Sequence, residues 1–341
     1  MDNAVLGWDL GGAHLKAARV ENGRVTDAVQ IPCPLWQGLP HLDAAMTEAL
    51  SRLGPARRHA VTMTGEMADI FRSREEGVRA VTAAATNKLG DISVFAGVAG
   101  LVSPADAPTL WQNIASANWL ATAMLTAKKL TQAALVDIGS TTTDIAPVAG
   151  GKILARGRSD SERLANNELV YTGIIRTPVM ALASIIDFEA QTQGVMAEFF
   201  ATMADAYRVA GLLPEDADDF PAADNRGKTP QDSARRLARM LGRDLESAPS
   251  AAWQRFAGTL IAIQTAQIAE SLTRVLERAS LNPQAPVVGA GCGRFLVEII
   301  ARRLQRPYID FADLVPVEVA ARHSAAICAP AVAVAVLASG I

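Results

Sequence analysis

Three glycine-rich turns carry most of the chemistry that this sequence offers. Each follows a hydrophobic run: Asp9-Leu10-Gly11-Gly12-Ala13-His14-Leu15-Lys16, Asp137-Ile138-Gly139-Ser140-Thr141-Thr142-Thr143-Asp144, and Gly289-Ala290-Gly291-Cys292-Gly293-Arg294. Glycine lets backbone N–H groups approach an anion, and a carboxylate beside such a turn can hold a hydrated Mg²⁺. Asp9 and Asp137 lead their turns in the same way and are the expected Mg²⁺-holding carboxylates. Gly11, Gly12, Gly139, Ser140, Thr141 and Thr142 are the expected phosphate-binding positions. One such turn alone is more often a plain hairpin; the weight lies in the combination. Arg294 at a helix start opposes the helix dipole, which favours an anionic ligand there.

The elements that must hold these turns follow from the hydrophobic pattern. Residues 4–31 read as a three-stranded meander, with a tight turn at Asn22-Gly23. The same strand–Asp–Gly-turn–strand plan restarts at Ala133, which points to a structural duplication. Helices are expected over 41–53, 75–89 and 115–130, and strands over 59–64 and 92–99. From Val179 to Arg278 the pattern is mostly helical, interrupted by an acidic, Pro-containing surface loop at 214–232. A strand at 285–290, a helix at 295–304, a short strand at 308–310 and an Ala/Val-rich helix at 329–337 complete the chain. The expected class is α/β, in two domains that share one plan. They are an N-terminal domain over 1–130 and a second over 131–328 with a helical insertion at about 180–282. A terminal helix within 329–341 is expected to pack back on the first.

Composition sets the outer bounds. The chain has 341 residues, 50% hydrophobic and 20% charged, with a formal net charge of -3. That is enough for two packed domains, and the balance argues against a nucleic-acid partner. Aromatic residues make up only 5%, so no base-stacking platform is advertised. The three cysteines are scattered and no CxxC is present, which argues against disulfides and structural zinc. Met1-Asp2-Asn3-Ala4 lacks a basic leader, and the longest apolar runs are too short to span a bilayer. The expectation is a cytoplasmic protein with no membrane partner; a homodimer is compatible with it.

The two Asp-led turns and the later GxGxG together resemble the actin-like ATPase, sugar kinase and Hsp70 superfamily. The resemblance implies two actin-like (ribonuclease H-like) domains flanking a cleft, in which two hairpins grip phosphates from either side and a third turn approaches the adenosine. Closer likeness is carried by Thr62–Asp69, Ser116-Ala117-Asn118-Trp119-Leu120-Ala121, Asp160-Ser161-Glu162-Arg163-Leu164 and Tyr171–Pro178. These resemble the hydantoinase/oxoprolinase-like branch, and within it a tetrahydromethanopterin-linked one-carbon group related to methanofuran-type cofactor synthases. The resemblance runs from Val5 to Leu337 and is weakest over 190–250. It implies a transferase that condenses an aminomethylfuran methyl diphosphate with a tyramine- or tyrosine-type phenol, glutamylated or not, and releases diphosphate. Mg²⁺ is expected with it and ATP is not.

That reaction assigns roles to the candidate residues. Asp9 and Asp137 are expected at the reacting phosphates, and Lys16 at the departing charge. His14 or Glu66 is the candidate base for the phenol. Asn118, Tyr171, Gly173 and Arg176 are expected on the acceptor side, with Gly289, Gly291, Gly293 and Arg294 closing the pocket. Bland readings stand beside these. Lys16 is also an ordinary surface lysine, His14 a locally bonded turn histidine, and Glu66 a helix cap. Asn118-Trp119 is also a core contact, and Arg176 pairs with Glu168 or Asp160. Departures from a kinase are Ala13-His14 where Thr or Ser is usual, Ser140 for a second glycine, and no clear catalytic Asp among Glu66, Asp69, Asp91 and Asp106. An ATP-dependent small-molecule kinase and a non-catalytic nucleotide-binding regulator are the alternatives.

Overall fold

The computed structural model describes residues 4–214 and 217–340. Strands β1 (Val5–Leu10) and β2 (His14–Glu21) pair antiparallel, with Asp9 opposite Lys16. Asn22 and Gly23, both at positive φ, turn the chain into β3 (Arg24–Pro32), the geometry that matches strand twist. Helix α1 (Leu39–Leu53), β4 (Arg58–Met63), α2 (Arg74–Leu89), β5 (Ile92–Phe95) and β6 (Leu101–Val102) follow. The sheet order is β3-β2-β1-β4-β5-β6, with β1, β4 and β5 parallel. Helices α3 (Trp111–Ile114) and α4 (Asn118–Lys129) lead out of this half.

The second half repeats the plan. Strand β7 (Gln132–Ile138) pairs antiparallel with β8 (Thr143–Ala149), Asp137 opposite Asp144, and β9 (Lys152–Ile153) lies along β8. Helix α5 (Asp160–Ala165) and β10 (Leu169–Val170) precede an insertion made of β11 (Ile185–Phe188), β12 (Gln191–Gly194), α6 (Met203–Val209), α7 (Pro230–Met240) and the long α8 (Ser250–Arg278). The chain returns through β13 (Val287–Ala290), α9 (Arg294–Arg303) and β14 (Tyr308–Asp310), and ends on α10 (Arg322–Ile327) and α11 (Ala329–Ser339). The order is β10-β8-β7-β13-β14, with β7, β13 and β14 parallel. Two α/β halves of one plan therefore flank a cleft, as the turns implied.

Small residues set how closely the halves approach. Helix α11 packs on β1, β2 and β4 and against α4, which in turn packs on β7 and β8. Val332 and Val334 are fully buried in this layer, and each contributes about 1.5–3 kcal/mol by leaving water. A Cβ on Gly7 would lie 2.0 Å from the Ala331 carbonyl oxygen, so the helix can rest on β1 only because Gly7 has no side chain. Pro330 in the first turn and Gly340 in the left-handed conformation bound the helix. Among the described residues, no single helix is long and apolar enough to cross a membrane.

Three sequence expectations need correction. The insertion is not wholly helical: β11 and β12 form a hairpin turned by Glu189 and Ala190, both at positive φ. Neither residue is a usual turn former, so the signal was absent. The strand from Ile92 stops at Phe95, where Gly97 and Gly100 at positive φ turn the chain. The helix expected from Ala115 starts at Asn118, because Ser116 sits at φ +51 and separates α3 from α4.

Candidate active site

The first two turns face each other across a cleft of about 500 Å³. Gly11, Gly12, His14 and Lys16 line it from one side, and Gly139, Ser140, Thr141 and Thr142 from the other. The N–H of Gly11 is used within its turn by the Asp9 carbonyl, and that of Gly139 by the Thr142 carbonyl. Among the described residues the N–H groups of Gly12, Ala13, Ser140 and Thr141 have no protein acceptor. These four open donors are what an anion needs.

Four charged side chains share the cleft floor. Burial pushes Asp137 up to about 7, against the pull of Lys16 and helped by Asp144 and Asp9. Burial likewise lifts Asp9 to about 6, although Lys16 and Asn118 oppose it. Asn118 Nδ2 donates to Asp9 Oδ2 at 3.3 Å, and Asp9 Oδ1 is buried with no hydrogen-bond partner. For Lys16, burial would lower the ammonium pKa, but Asp137 and Asp9 outweigh it and hold it above its ordinary value. Lys16 is thus a half-buried charge aimed into the cleft, not a plain surface lysine. Asp144 is tied to the fully buried Arg163, whose Nη1 donates at 2.8 Å and whose guanidinium lies 4.0 Å from the Trp119 ring centre.

His14 joins the two turns. Its Nδ1 lies 3.5 Å from Ser140 Oγ, and Phe220 meets its ring edge-on at 4.9 Å. Burial first, then Lys16 and Arg176, push its pKa down to about 3. The ring is therefore neutral near pH 7, and its 3.8 Å approach to Asp219 is a dipolar contact rather than an ion pair. So depressed a group is too weak a base to keep a phenol proton. Phe220 also lies 5.8 Å from Trp36, and the Arg176 guanidinium sits 5.0 Å from Trp36 and 5.6 Å from Phe220. Residues 217–229, expected as surface loop, thus reach back to the cleft. Arg208 pairs with Asp218, and Arg236 with Asp224, to hold them there; Glu215 and Asp216 of that loop lie outside the described residues.

Several expected site residues sit elsewhere. Glu66 is 1% exposed and does not line the cleft; Ser116 and Asp160 stand between. Of the competing acids only Asp69 lines it. Gly173 meets protein rather than substrate: a Cβ there would lie 2.5 Å from the Thr141 nitrogen, and the turn is gripped by the N–H groups of Ile174, Ile175 and Arg176. The third turn is behind the second, not in the cleft. A Cβ on Gly291 would lie 2.4 Å from Asp137 Oδ1, one on Gly293 would meet Ile138, and one on Gly289 would meet Tyr308. Arg294 is not free for an anion either. It donates to Asp310 Oδ2 at 2.9 Å and to the Gly291 carbonyl, and contacts His323. Tyr171 lines the cleft and is 64% exposed. Arg176 pairs with neither expected partner, since Glu168 takes Arg278 and Asp160 takes Arg74. Missed by sequence reasoning were Trp36, Phe220 and the inward face of Asp160; only Asp160 lay in a motif that had drawn notice.

Residues 57–339 match the model of the hydantoinase/oxoprolinase family. The chain belongs to this family. A relative in Methanocaldococcus jannaschii, named (4-{4-[2-(gamma-L-glutamylamino)ethyl]phenoxymethyl}furan-2-yl)methanamine synthase, is 30% identical over 86% of this chain and 87% of its own length. A protein of the same name in Methanococcus vannielii is 39% identical, over 33% of this chain and half of its own. Among solved structures, nucleotide-free acetone carboxylase superposes with a TM-score of 0.57 at 11% identity, covering 87% of this chain and 66% of that one. The fold is that of the actin-like ATPases and sugar kinases.

Proposed function

We propose that the chain is a transferase of methanofuran biosynthesis that joins a furan-methyl diphosphate to a phenol, forming an aryl ether and releasing diphosphate. The product named for its relatives contains that ether, between a phenoxy oxygen and a furan methylene. The observation that carries the reading is the open-donor cradle at Gly12, Ala13, Ser140 and Thr141 around Lys16. A furan ring feeds electrons to its methyl carbon, so departure of diphosphate leaves cationic character there. Catalysis then consists of receiving the leaving anion, and prearranged N–H groups and an ammonium do that without reorganising. Holding phenol oxygen and carbon within reach supplies much of the remainder.

Mg²⁺ fits this floor. Asp9 Oδ1 is a buried, partnerless acceptor beside Asp137, and Mg²⁺ is typically held by one or two carboxylates together with substrate phosphates. Asp9 and Asp137 would hold it, and it would supply charge neutralisation at the diphosphate. On the acceptor side, the Arg176 fork between Trp36 and Phe220 suits an aromatic ring carrying a carboxylate.

The test is an incubation with Mg²⁺, aminomethylfuran methyl diphosphate and a glutamylated tyramine, with ATP in a parallel arm. Stoichiometric diphosphate and ether are expected, with no ATP turnover. Phosphorylation of a small molecule from ATP would replace the reading with the kinase one.

A further inference from the structure

We propose that Glu66, Ser116 and Asp160 form a relay that carries the acceptor phenol's proton out of the cleft. This rests on the transferase reading above. Ser116 Oγ lies 2.8 Å from Glu66 Oε1 and 3.2 Å from Asp160 Oδ2. A hydroxyl carries one hydrogen, so it cannot donate to both carboxyl groups at once. Both contacts are satisfied only when one of the two acids is itself protonated and donates to the hydroxyl. The trio therefore has two arrangements. In one, Glu66 donates to Ser116, which donates to Asp160; in the other, Asp160 donates to Ser116, which donates to Glu66.

The ends of this chain differ in the way a relay needs. Asp160 lines the cleft, whereas Glu66 is buried behind it with Oε2 lacking any hydrogen-bond partner. Ser116 is held at φ +51, a left-handed conformation that a serine adopts at a cost and that tends to mark functional positions. That conformation separates α3 from α4 and aims the hydroxyl between the two acids. Groups facing Glu66 are Ser116, Arg74 from α2 and Asp160 from α5, Arg74 being paired with Asp160 at 2.6 Å. Burial pushes Glu66 up to about 7, against the Ser116 hydrogen bond and Arg74, so it exchanges its proton near neutrality. His14 is too weak a base to compete.

In the proposed step the phenol O–H bond breaks as the O–CH₂ ether bond forms. The C–O bond to diphosphate breaks, and its electron pair leaves with diphosphate. Starting from the second arrangement, the phenol proton passes to the other oxygen of Asp160 as the Asp160 Oδ2 proton passes to Ser116 Oγ and the Ser116 proton to ionised Glu66 at Oε1, which leaves both acids protonated. Water receives the proton when products leave.

The experiment is the pH dependence of ether formation from aminomethylfuran methyl diphosphate and a tyramine-type phenol, with Mg²⁺, for wild type, Glu66→Gln and Ser116→Gly. Wild-type kcat should rise with pH to a plateau near neutrality. Both variants should lose that limb and fall at least tenfold at pH 7.5, with donor KM unchanged. Ser116→Gly removes the hydroxyl while relieving the backbone, so its melting temperature should hold or rise as its rate falls. An active wild type with unchanged profiles in both variants would overturn the relay and leave the transferase reading standing. Rate loss matched by a lowered melting temperature in Ser116→Gly would also overturn it, by assigning Ser116 to structure. Absence of ether from the wild type would sink the transferase reading itself, and the relay with it.

Discussion

The two hairpin turns share a scaffold and differ in charge. In each, an aspartate ends the first strand: Asp9 stands opposite Lys16, Asp137 opposite Asp144. Each turn is gripped from behind by backbone donors, Leu35 N–H on the Gly12 carbonyl and Arg176 N–H on the Ser140 carbonyl. Each grip delivers a side chain to the cleft, Trp36 from the first and Arg176 from the second, and these meet at 5.0 Å. Duplication thus explains the geometry, and the single change of cross-strand partner explains the chemistry. One turn offers an ammonium for an anion; the other offers a surplus carboxylate, offset in part by Arg163, for a cation.

If the turns divide the work in this way, Asp137 of one turn and Lys16 of the other should not be equivalent. Asp137→Asn should lower kcat by roughly 10³-fold, the scale of losing a prearranged electrostatic group. It should also flatten the response to added Mg²⁺. Lys16→Gln should cost on the order of 10²-fold, chiefly against the diphosphate donor, and keep the Mg²⁺ response. Initial rates over a grid of Mg²⁺ and donor concentrations separate the two. Identical behaviour in both variants would mean that the turns act as one symmetric clamp.

His14, which ties the turns together, gives the next largest effect. Its folded pKa of about 3 lies well below the ordinary histidine value of 6.5. A depressed pKa contributes stability that is present above the unfolded value and is lost as pH falls through the folded one. The window is therefore about pH 6.5 down to 3, and the loss at pH 4 is roughly 3 kcal/mol. His14→Gln cannot charge, so its denaturant midpoint should stay flatter across that window. A wild type whose midpoint is constant from pH 6.5 to 4 would break the assignment of His14 as a neutral bridge.

What could be read from the sequence was what is local. A hydrophobic strand, an aspartate and a glycine turn are consecutive residues, so both hairpins and their facing across the cleft followed from pattern. Phe220 and Trp36 could not be found in that way. Phe220 sits in an acidic, Pro-containing stretch whose composition reads as solvated loop. What brings it to His14 is an ion-pair cluster, Arg208–Asp218 and Arg236–Asp224, assembled from separate helices. The third glycine turn failed for the opposite reason. Gly291 and Gly293 let the turn after β13 pack against Asp137 and Ile138, and Gly289 makes room for Tyr308, a demand that looks the same in sequence as ligand approach. Ser116 stands in a motif visible in the sequence, but the left-handed φ that aims its hydroxyl has no sequence signal.

Arg176 offers the smallest effect and the sharpest view of the division. Its backbone belongs to the second turn through Ser140, yet its guanidinium lies over Trp36 and Phe220. Among the described residues it has no carboxylate partner. A planar guanidinium both stacks on a ring and presents a two-pronged donor to a carboxylate; a lysine ammonium does neither as well. Arg176→Lys keeps the charge and removes the plane. For an acceptor with an aromatic ring and a carboxylate, KM should rise about tenfold, equivalent to about 1.4 kcal/mol. Donor KM should stay nearly unchanged, because the proposed diphosphate cradle is the four open N–H groups and Lys16. Melting temperature should also hold, since the side chain is exposed and makes no ion pair. If instead both KM values rise together, Arg176 belongs to a wall shared by the two substrates, and the separation into a donor side and an acceptor side fails at the residue that was placed to define it.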